Sequence, residues 1–162
     1  MSIIPAIISV FFALLIRCRR ECVRHCISRM MIPAFLFLQG NYITLTNMSD
    51  KDVERIVRYR LEPINISFQT TNPELRCKML HNRFAGEALK KVDILYQGGI
   101  EMNGQIVLCK GVNDGEELER SIRDLTGYLP MLKSVSVVPV GLTKYREGLY
   151  PMTPLQKRMR EK

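Results

Sequence analysis

Hydrophobic and polar positions between residues 40 and 140 alternate between the two-residue period of strands and the three-to-four-residue period of helices. The pattern predicts strands at residues 42–46, 64–69, 106–109 and 135–140. It predicts helices at residues 50–61, 73–80, 86–96 and 116–129. Strands that alternate with helices at short intervals indicate right-handed βαβ units, so we expect an α/β fold with a parallel sheet.

Polar residues lie on a predicted strand that should be buried on both faces. Asn65, Ser67 and Gln69 share one side of their strand by its two-residue period. In a barrel that side faces the interior and a ligand, whereas in the alternative reading these side chains bond to neighbouring strands or loops. The pattern favours neither reading, but it points to the carboxyl ends of the strands, where parallel sheets place their ligands.

The N-terminal segment has a different character. The apolar run Ile3–Ile16 is followed at once by Arg17, Arg19 and Arg20. It is shorter than the roughly 20 residues that cross a bilayer, and its charge follows the apolar run, unlike that of a signal peptide. A short membrane anchor over residues 3–16 with a basic collar is one interpretation, and a segment never selected for structure is the other.

Composition and charge narrow the class of protein. With 162 residues, 46% of them hydrophobic and 25% charged, the chain has the length and content of one globular domain. Its net charge of +8 comes mainly from the two ends, because residues 39–154 hold 15 basic and 14 acidic residues. We therefore expect no nucleic-acid partner.

The five cysteines do not form an obvious disulfide framework. Their odd number, with no clear secretory signal, indicates a reducing compartment and a cytoplasmic protein. Cys18, Cys22 and Cys26 have a C-x3-C-x3-C spacing that suggests a metal site. On a helix the outer two would lie about 12 Å apart, too far for one cluster, so this site requires a loop.

Four strings in the centre of the chain together resemble one bacterial family. They are GNYITLTN from Gly40, EPINISFQTTNPELRCKML from Glu62, GGIEMNGQIVLCKGVNDG from Gly98 and SVSVVPVGLTKYREGLYPMTP from Ser134. The chain resembles the radical S-adenosylmethionine (SAM) iron–sulfur oxidoreductases that have an N-terminal PDZ-like domain and a C-terminal domain of unknown function. The resemblance covers nearly all of residues 39–154.

The resemblance implies a fold, two cofactors and a set of candidate contacts. The fold is a partial (β/α) barrel, and the cofactors are a [4Fe-4S] cluster on a C-x3-C-x2-C segment and SAM, which the cluster reduces to a 5′-deoxyadenosyl radical. The implied cofactor or substrate contacts on the strands are Asn41, Thr44, Ser67, Gln69 and Gln105. Packing inside the barrel explains each of them equally well.

The chain departs from the family where the cluster ligands are expected. The spacing from Cys18 to Cys26 is wrong, and the family's following stretch CIFCFIDQLPKGMR is absent. If residues 30–34 are encoded ATG ATG ATT CCC GCC, reading one base earlier gives Asp-Asp-Ser-Arg, which the family has there. We therefore expect residues 1–38 and 155–162 to be out-of-frame readings.

If so, residues 39–154 are a piece of the barrel that runs into the start of the C-terminal domain. We expect this piece to hold no cluster or SAM, to be inactive as written, and to self-associate through its open sheet edges. The competing class is a small membrane-anchored protein without catalysis.

Overall fold

The computed structural model describes residues 42–141, in which helices and strands alternate as the sequence predicts. The helices are α1 (Asp50–Tyr59), α2 (Pro73–Leu80), α3 (Lys90–Gln97) and α4 (Glu116–Thr126). The strands are β1 (Ile64–Ser67), β2 (Met102–Leu108) and β3 (Leu132–Pro139), and a 3-10 turn (Glu87–Leu89) precedes α3.

The sheet is parallel, and its strands lie in the order in which they occur along the chain. β1 pairs with β2 and β2 pairs with β3, while Ile43 forms an isolated parallel bridge with Ile66 on the other side of β1. Sequential parallel strands joined through helices are the winding of a β/α barrel, whereas a doubly wound sheet reverses its strand order. The predicted α/β class and partial β/α fold are confirmed.

Helices cover one face of this sheet. Val53 on α1, Val92 on α3 and Leu125 on α4 pack with Ile66 and Met102 of the strands in the main core. Helix α2 differs, because its Met79 belongs to a second, smaller cluster near the carboxyl ends of β2 and β3. That cluster consists of Met79, Val107, Cys109 and Val140.

Local sequence signals explain where the first two helices begin. Ser49 and Asp52 form a capping box at α1, in which each side chain bonds to the backbone N–H of the other. At α2 the side chain of Asn72 accepts from the N–H groups of Glu74 and Leu75, and Pro73 occupies the first helical turn. The predicted N-terminus is therefore confirmed for both helices.

The strand predicted at residues 42–46 is wrong beyond Ile43. Leu45 has φ +62°, and the chain turns at Thr46, so no ladder extends past the bridge at Ile43. The local sequence is β-branched, but side chains from other elements take the carbonyl groups that a ladder would use, as described below. Tertiary contacts override strand propensity here.

Two other strands begin earlier than predicted. β2 starts at Met102 instead of Ile106. The sequence pattern missed this start because Asn103, Gly104 and Gln105 are not typical strand formers. A Cβ atom on Gly104 would lie 3.1 Å from the Phe68 ring, so glycine admits this ring to the core. β3 starts at Leu132 and ends at Pro139, where residues 135–140 were predicted.

Three predicted helices have different bounds from those the pattern indicates. Helix α1 ends at Tyr59 instead of residue 61, and strand β1 likewise ends at Ser67 instead of residue 69. The segment predicted as helix 86–96 begins with the 3-10 turn and becomes α-helical only at Lys90. Helix α4 ends at Thr126, three residues before the predicted end, and Gly127 follows as its C-cap. Among residues 42–141, no helix has the length and apolar character needed to cross a bilayer, and the predicted anchor at 3–16 lies outside the described residues.

Candidate functional site

A band of hydrogen-bonded polar side chains crosses the sheet face that the main-core helices leave uncovered. Asn103 Nδ2 donates to Asn65 Oδ1 at 3.1 Å, and Ser134 Oγ donates to Asn103 Oδ1 at 2.9 Å. One residue from each strand thus takes part. Of the two readings of the polar row on β1, the structure shows the bonding between neighbouring strands.

Gln69, a predicted contact, is built into the carboxyl end of the sheet. Its Nε2 donates to Ser67 Oγ at 2.7 Å, and its Oε1 accepts from the backbone N–H of Val107 at 2.8 Å. The side chain is buried and its backbone has φ +65°. A non-glycine residue with a positive φ costs about 1–3 kcal/mol, and such residues cluster at ligand sites. The backbone of Gln69 is therefore consistent with a ligand site.

Asn113 locks the loop after β2 onto the loop after β1. Its Nδ2 donates to the carbonyls of Gln69 at 2.7 Å and Val107 at 3.0 Å, while its Oδ1 accepts from the N–H of Cys109 at 2.7 Å. The side chain is fully buried. These contacts stabilise the turn that follows β2.

The loop after β1 is also fixed to helix α4. The backbone N–H of Thr71 donates to Ser121 Oγ at 3.1 Å, and Thr71 Oγ1 donates to Asp124 Oδ2 at 2.6 Å. Asn72 Nδ2 donates to Glu117 Oε1 at 3.1 Å, whereas the buried Oε2 of Glu117 has no partner in the described structure. Three hydrogen bonds therefore hold this loop against α4.

The other predicted contacts fall into different environments. Gln105 lies on β2 opposite Ser67 in the ladder register, and its buried Oε1 has no hydrogen-bond partner among the described residues. Thr44 Oγ1 bonds to Thr46 Oγ1 at 2.7 Å. Asn41 lies outside the described residues. Ser67, Gln69 and Gln105 are thus brought to the same part of the sheet.

A buried guanidinium that the sequence analysis missed lies at this edge. Arg76 on α2 has no exposed surface, and it donates to the backbone carbonyls of Thr44, Ser67, Phe68 and Ala85. Desolvation lowers the pKa of Arg76 to about 10, so the group stays cationic at neutral pH. In the described residues it forms no ion pair with a carboxylate.

A signal for Arg76 was present in the sequence. It lies three residues before Met79 on a short helix, which places a charged residue on the same face as a buried one. A basic residue on an apolar face has to find several acceptors when it is buried. The pattern of apolar positions does not show which carbonyls those are.

Cysteine chemistry at this edge does not resemble a cluster site. Burial raises the pKa of Cys109 to about 11, which keeps the thiol protonated and a poor metal ligand. Cys77 Sγ bonds to the backbone of Arg83 and Gly86. Among residues 42–141, no three His, Cys, Asp or Glu side chains are grouped as a metal site. Cys18, Cys22 and Cys26 lie outside the described residues.

Comparison with known family models identifies the family of this chain. The model of the Radical SAM-like domain matches residues 33–135, more than half of the chain. The chain belongs to the radical SAM-like family. No curated protein matches the sequence. The PDZ-like domain and the C-terminal domain implied by the resemblance stay predictions.

Membership of the radical SAM-like family implies two cofactors, SAM and an iron–sulfur cluster. The described residues provide a polar acceptor for the first but no thiolate ligands for the second. The orphaned Oε1 of Gln105 is an acceptor suited to an N–H donor, and SAM carries such donors on its adenine and amino groups. The described cysteines do not suit a cluster, since Cys109 is a buried thiol far from thiolate character. Residues 42–141 therefore offer one buried acceptor suited to an N–H donor, and they hold no group of cluster ligands.

Proposed function

We propose that the chain is a segment of a radical SAM enzyme that presents SAM-binding groups at the carboxyl edge of its sheet but is inactive as written. The family is that of oxidoreductases in which a bound cluster supplies the electron for reductive cleavage of SAM. In this chain, the proposed SAM contacts are Asn41, Thr44, Ser67, Gln69 and Gln105. Its substrate is not specified by these residues.

The observation that carries this proposal is the unpartnered Oε1 of Gln105 beside the bonded polar side chains of β1. A buried acceptor without a partner costs about 1–3 kcal/mol, and a ligand N–H at this position would remove that cost. Ser67 lies opposite Gln105 in the register, and Gln69 is held by two hydrogen bonds. The ligand would therefore meet side chains that are already ordered.

Two observations support the proposed inactivity. The spacing of Cys18, Cys22 and Cys26 departs from C-x3-C-x2-C. The match to the family begins at residue 33, after these cysteines and after the apolar run. An out-of-frame reading of the residues before the match accounts for both facts, and the start of the match places its end before residue 33 instead of at residue 38. The coding DNA tests this directly. The membrane-anchor alternative rests on residues 3–16 alone.

The experiment is anaerobic reconstitution of the full chain with iron, sulfide and reductant, followed by addition of SAM. We expect SAM to bind in equilibrium dialysis, which replaces the expectation from the sequence that this piece holds no SAM. We expect no charge-transfer absorbance from a cluster and no 5′-deoxyadenosine. In the matched control, a C-x3-C-x2-C segment replaces the corresponding N-terminal residues, and its last two cysteines are those of the family's CIFCFIDQLPKGMR stretch. A brown, SAM-cleaving native chain would contradict the proposed inactivity, and absence of SAM binding would contradict the proposed site.

A further inference from the structure

The ladder between β1 and the preceding segment ends abruptly. Ile43 makes both of its parallel rungs, from its N–H to Asn65 O at 2.9 Å and from Ser67 N–H to its own carbonyl at 2.7 Å. The next rung of a parallel ladder would join Leu45 N–H to Ser67 O. Instead, Ser67 O accepts from Arg76 Nη2 at 3.1 Å, and Leu45 turns to φ +62°.

The ladder on the other side of β1 ends in the same way. Phe68 N–H donates to Gln105 O at 2.9 Å, after which a parallel ladder would join Val107 N–H to Phe68 O. Instead, Phe68 O accepts from Arg76 Nε at 2.9 Å, and Val107 N–H donates to the side chain of Gln69. One guanidinium thus occupies the acceptors of the next rung on both sides of β1.

Three further hydrogen bonds reach the carbonyls of residues 44–48. Arg76 Nη2 also donates to Thr44 O at 2.8 Å, and Lys91 Nζ donates to the carbonyls of Leu45 and Met48. The planar fork of an arginine reaches several acceptors in fixed directions, which a lysine cannot do. The N–H of Leu45 donates to no acceptor among the described residues.

We propose that Arg76 is a positioning residue: its guanidinium ends both ladders and holds the carboxyl end of β1 apart from its neighbours, which sets Thr44 and Gln69 in place for the ligand. The inference rests on the proposed function for the identity of that ligand, SAM. Without Arg76, the carbonyl of Ser67 becomes free to pair with Leu45 N–H. The ladder then extends and the edge closes.

The test compares Arg76→Met with the native full chain by amide hydrogen exchange and by equilibrium dialysis of SAM. We expect protection at Leu45 N–H to rise about tenfold as the rung forms, and SAM affinity to fall about tenfold or more because the contacts are misplaced. Arg76→Lys is the second variant, and we expect a smaller change of the same sign. It keeps the test usable if the methionine variant does not fold.

Two controls separate positioning from general stability. Lys91→Met removes the other cation bound to this loop but leaves Ser67 O occupied, so we expect Leu45 exchange to stay as in the native chain. Val53→Ala destabilises the helix-covered core, and SAM affinity of its folded fraction should not change.

Unchanged exchange at Leu45 in both Arg76 variants would overturn the inference, as would SAM affinities that follow stability alone across all four variants. A native chain that binds no SAM overturns the proposed function and the ligand part of this inference with it. The exchange measurement then still decides whether Arg76 ends the ladders.

Discussion

The carboxyl end of β1 and the outer edge of β3 differ in how fully the chain satisfies its own groups. At the end of β1, the side chains of Arg76, Gln69 and Asn113 take up backbone groups, and all three are buried. Along β3, Val137 is 39% exposed, and on the adjoining α4 Ile122 is 44% exposed. A shallow apolar cavity of about 170 Å³ lies between α4 and β3.

At the end of β1, side chains satisfy the backbone groups, whereas β3 leaves one edge and several apolar side chains uncovered among the described residues. Bonded polar groups at the end of β1 need no neighbour other than a ligand, whereas the edge of β3 pairs only with β2 among the described residues. In a barrel, the next strand and helix would cover such an edge. Substitutions in the two regions test this contrast between bonded and uncovered groups.

Asn113→Ala should produce the largest loss of stability. It removes two donors and one acceptor from a buried site and leaves the carbonyls of Gln69 and Val107 and the N–H of Cys109 unpaired. We expect the free energy of unfolding in urea to fall by about 3 kcal/mol or more. Asn103→Ala, on the less buried band, is the control and should cost about 1 kcal/mol. Equal costs would contradict the contrast.

Asn72→Ala should have a moderate effect. The side chain caps α2 and also donates to Glu117, and α2 carries Arg76 to the edge. We expect a loss of about 1 kcal/mol in the free energy of unfolding. Asn72→Ser keeps a capping acceptor and should recover most of it. If serine were no better than alanine, the cap would not be what stabilises α2.

Val137→Lys should hardly change stability but should change association. The position is exposed on an edge strand, so we expect a change within about 0.5 kcal/mol. We propose that the native chain self-associates through this edge, and a lysine there disfavours strand pairing between copies. Sedimentation velocity would show the native chain as oligomers and the variant shifted towards monomer. Tyr59→Lys, at an exposed position of α1, is the control that should leave the oligomers intact.

Asp52→Asn should have the smallest effect, a small loss of stability at neutral pH that disappears in acid. Hydrogen bonds from Ser49 lower the pKa of the Asp52 carboxyl below its usual 3.8. A lowered folded-state pKa means that the charged form stabilises the native state above the unfolded pKa, and that this contribution is lost as pH falls through the folded value. The native chain should therefore lose more stability than the variant on acidification below about pH 4. The measurement is a pair of acid titrations followed by circular dichroism. Equal losses of stability in the native chain and the variant would contradict the prediction.

How far the sequence predicts the structure differs between these regions. Periodicity found the helices and the parallel order of β1 to β3, because helix caps such as Ser49 and Asn72 and apolar spacing are local signals. It failed at residues 42–46, where the conformation depends on cations from α2 and α3 that take the loop carbonyls. No local pattern contains that information.

The position of the candidate residues in the sheet was predictable from the sequence, but their contacts were not. The two-residue period put Ser67 and Gln69 on one face and the topology put ligands at the carboxyl edge, and the structure brings both near Gln105. The hydrogen bonds within this group, and the missing partner of Gln105 Oε1, depend on strand register. Register is set by packing across the sheet, which a single strand's sequence does not specify.

The most direct test of the central claim is amide chemical-shift mapping of the isotopically labelled full chain during titration with SAM. The account predicts shifts at Ser67, Gln69 and Gln105, and none at Ile122 or Val137. Shifts confined to the β3 edge, or no shifts at saturating SAM, would contradict it.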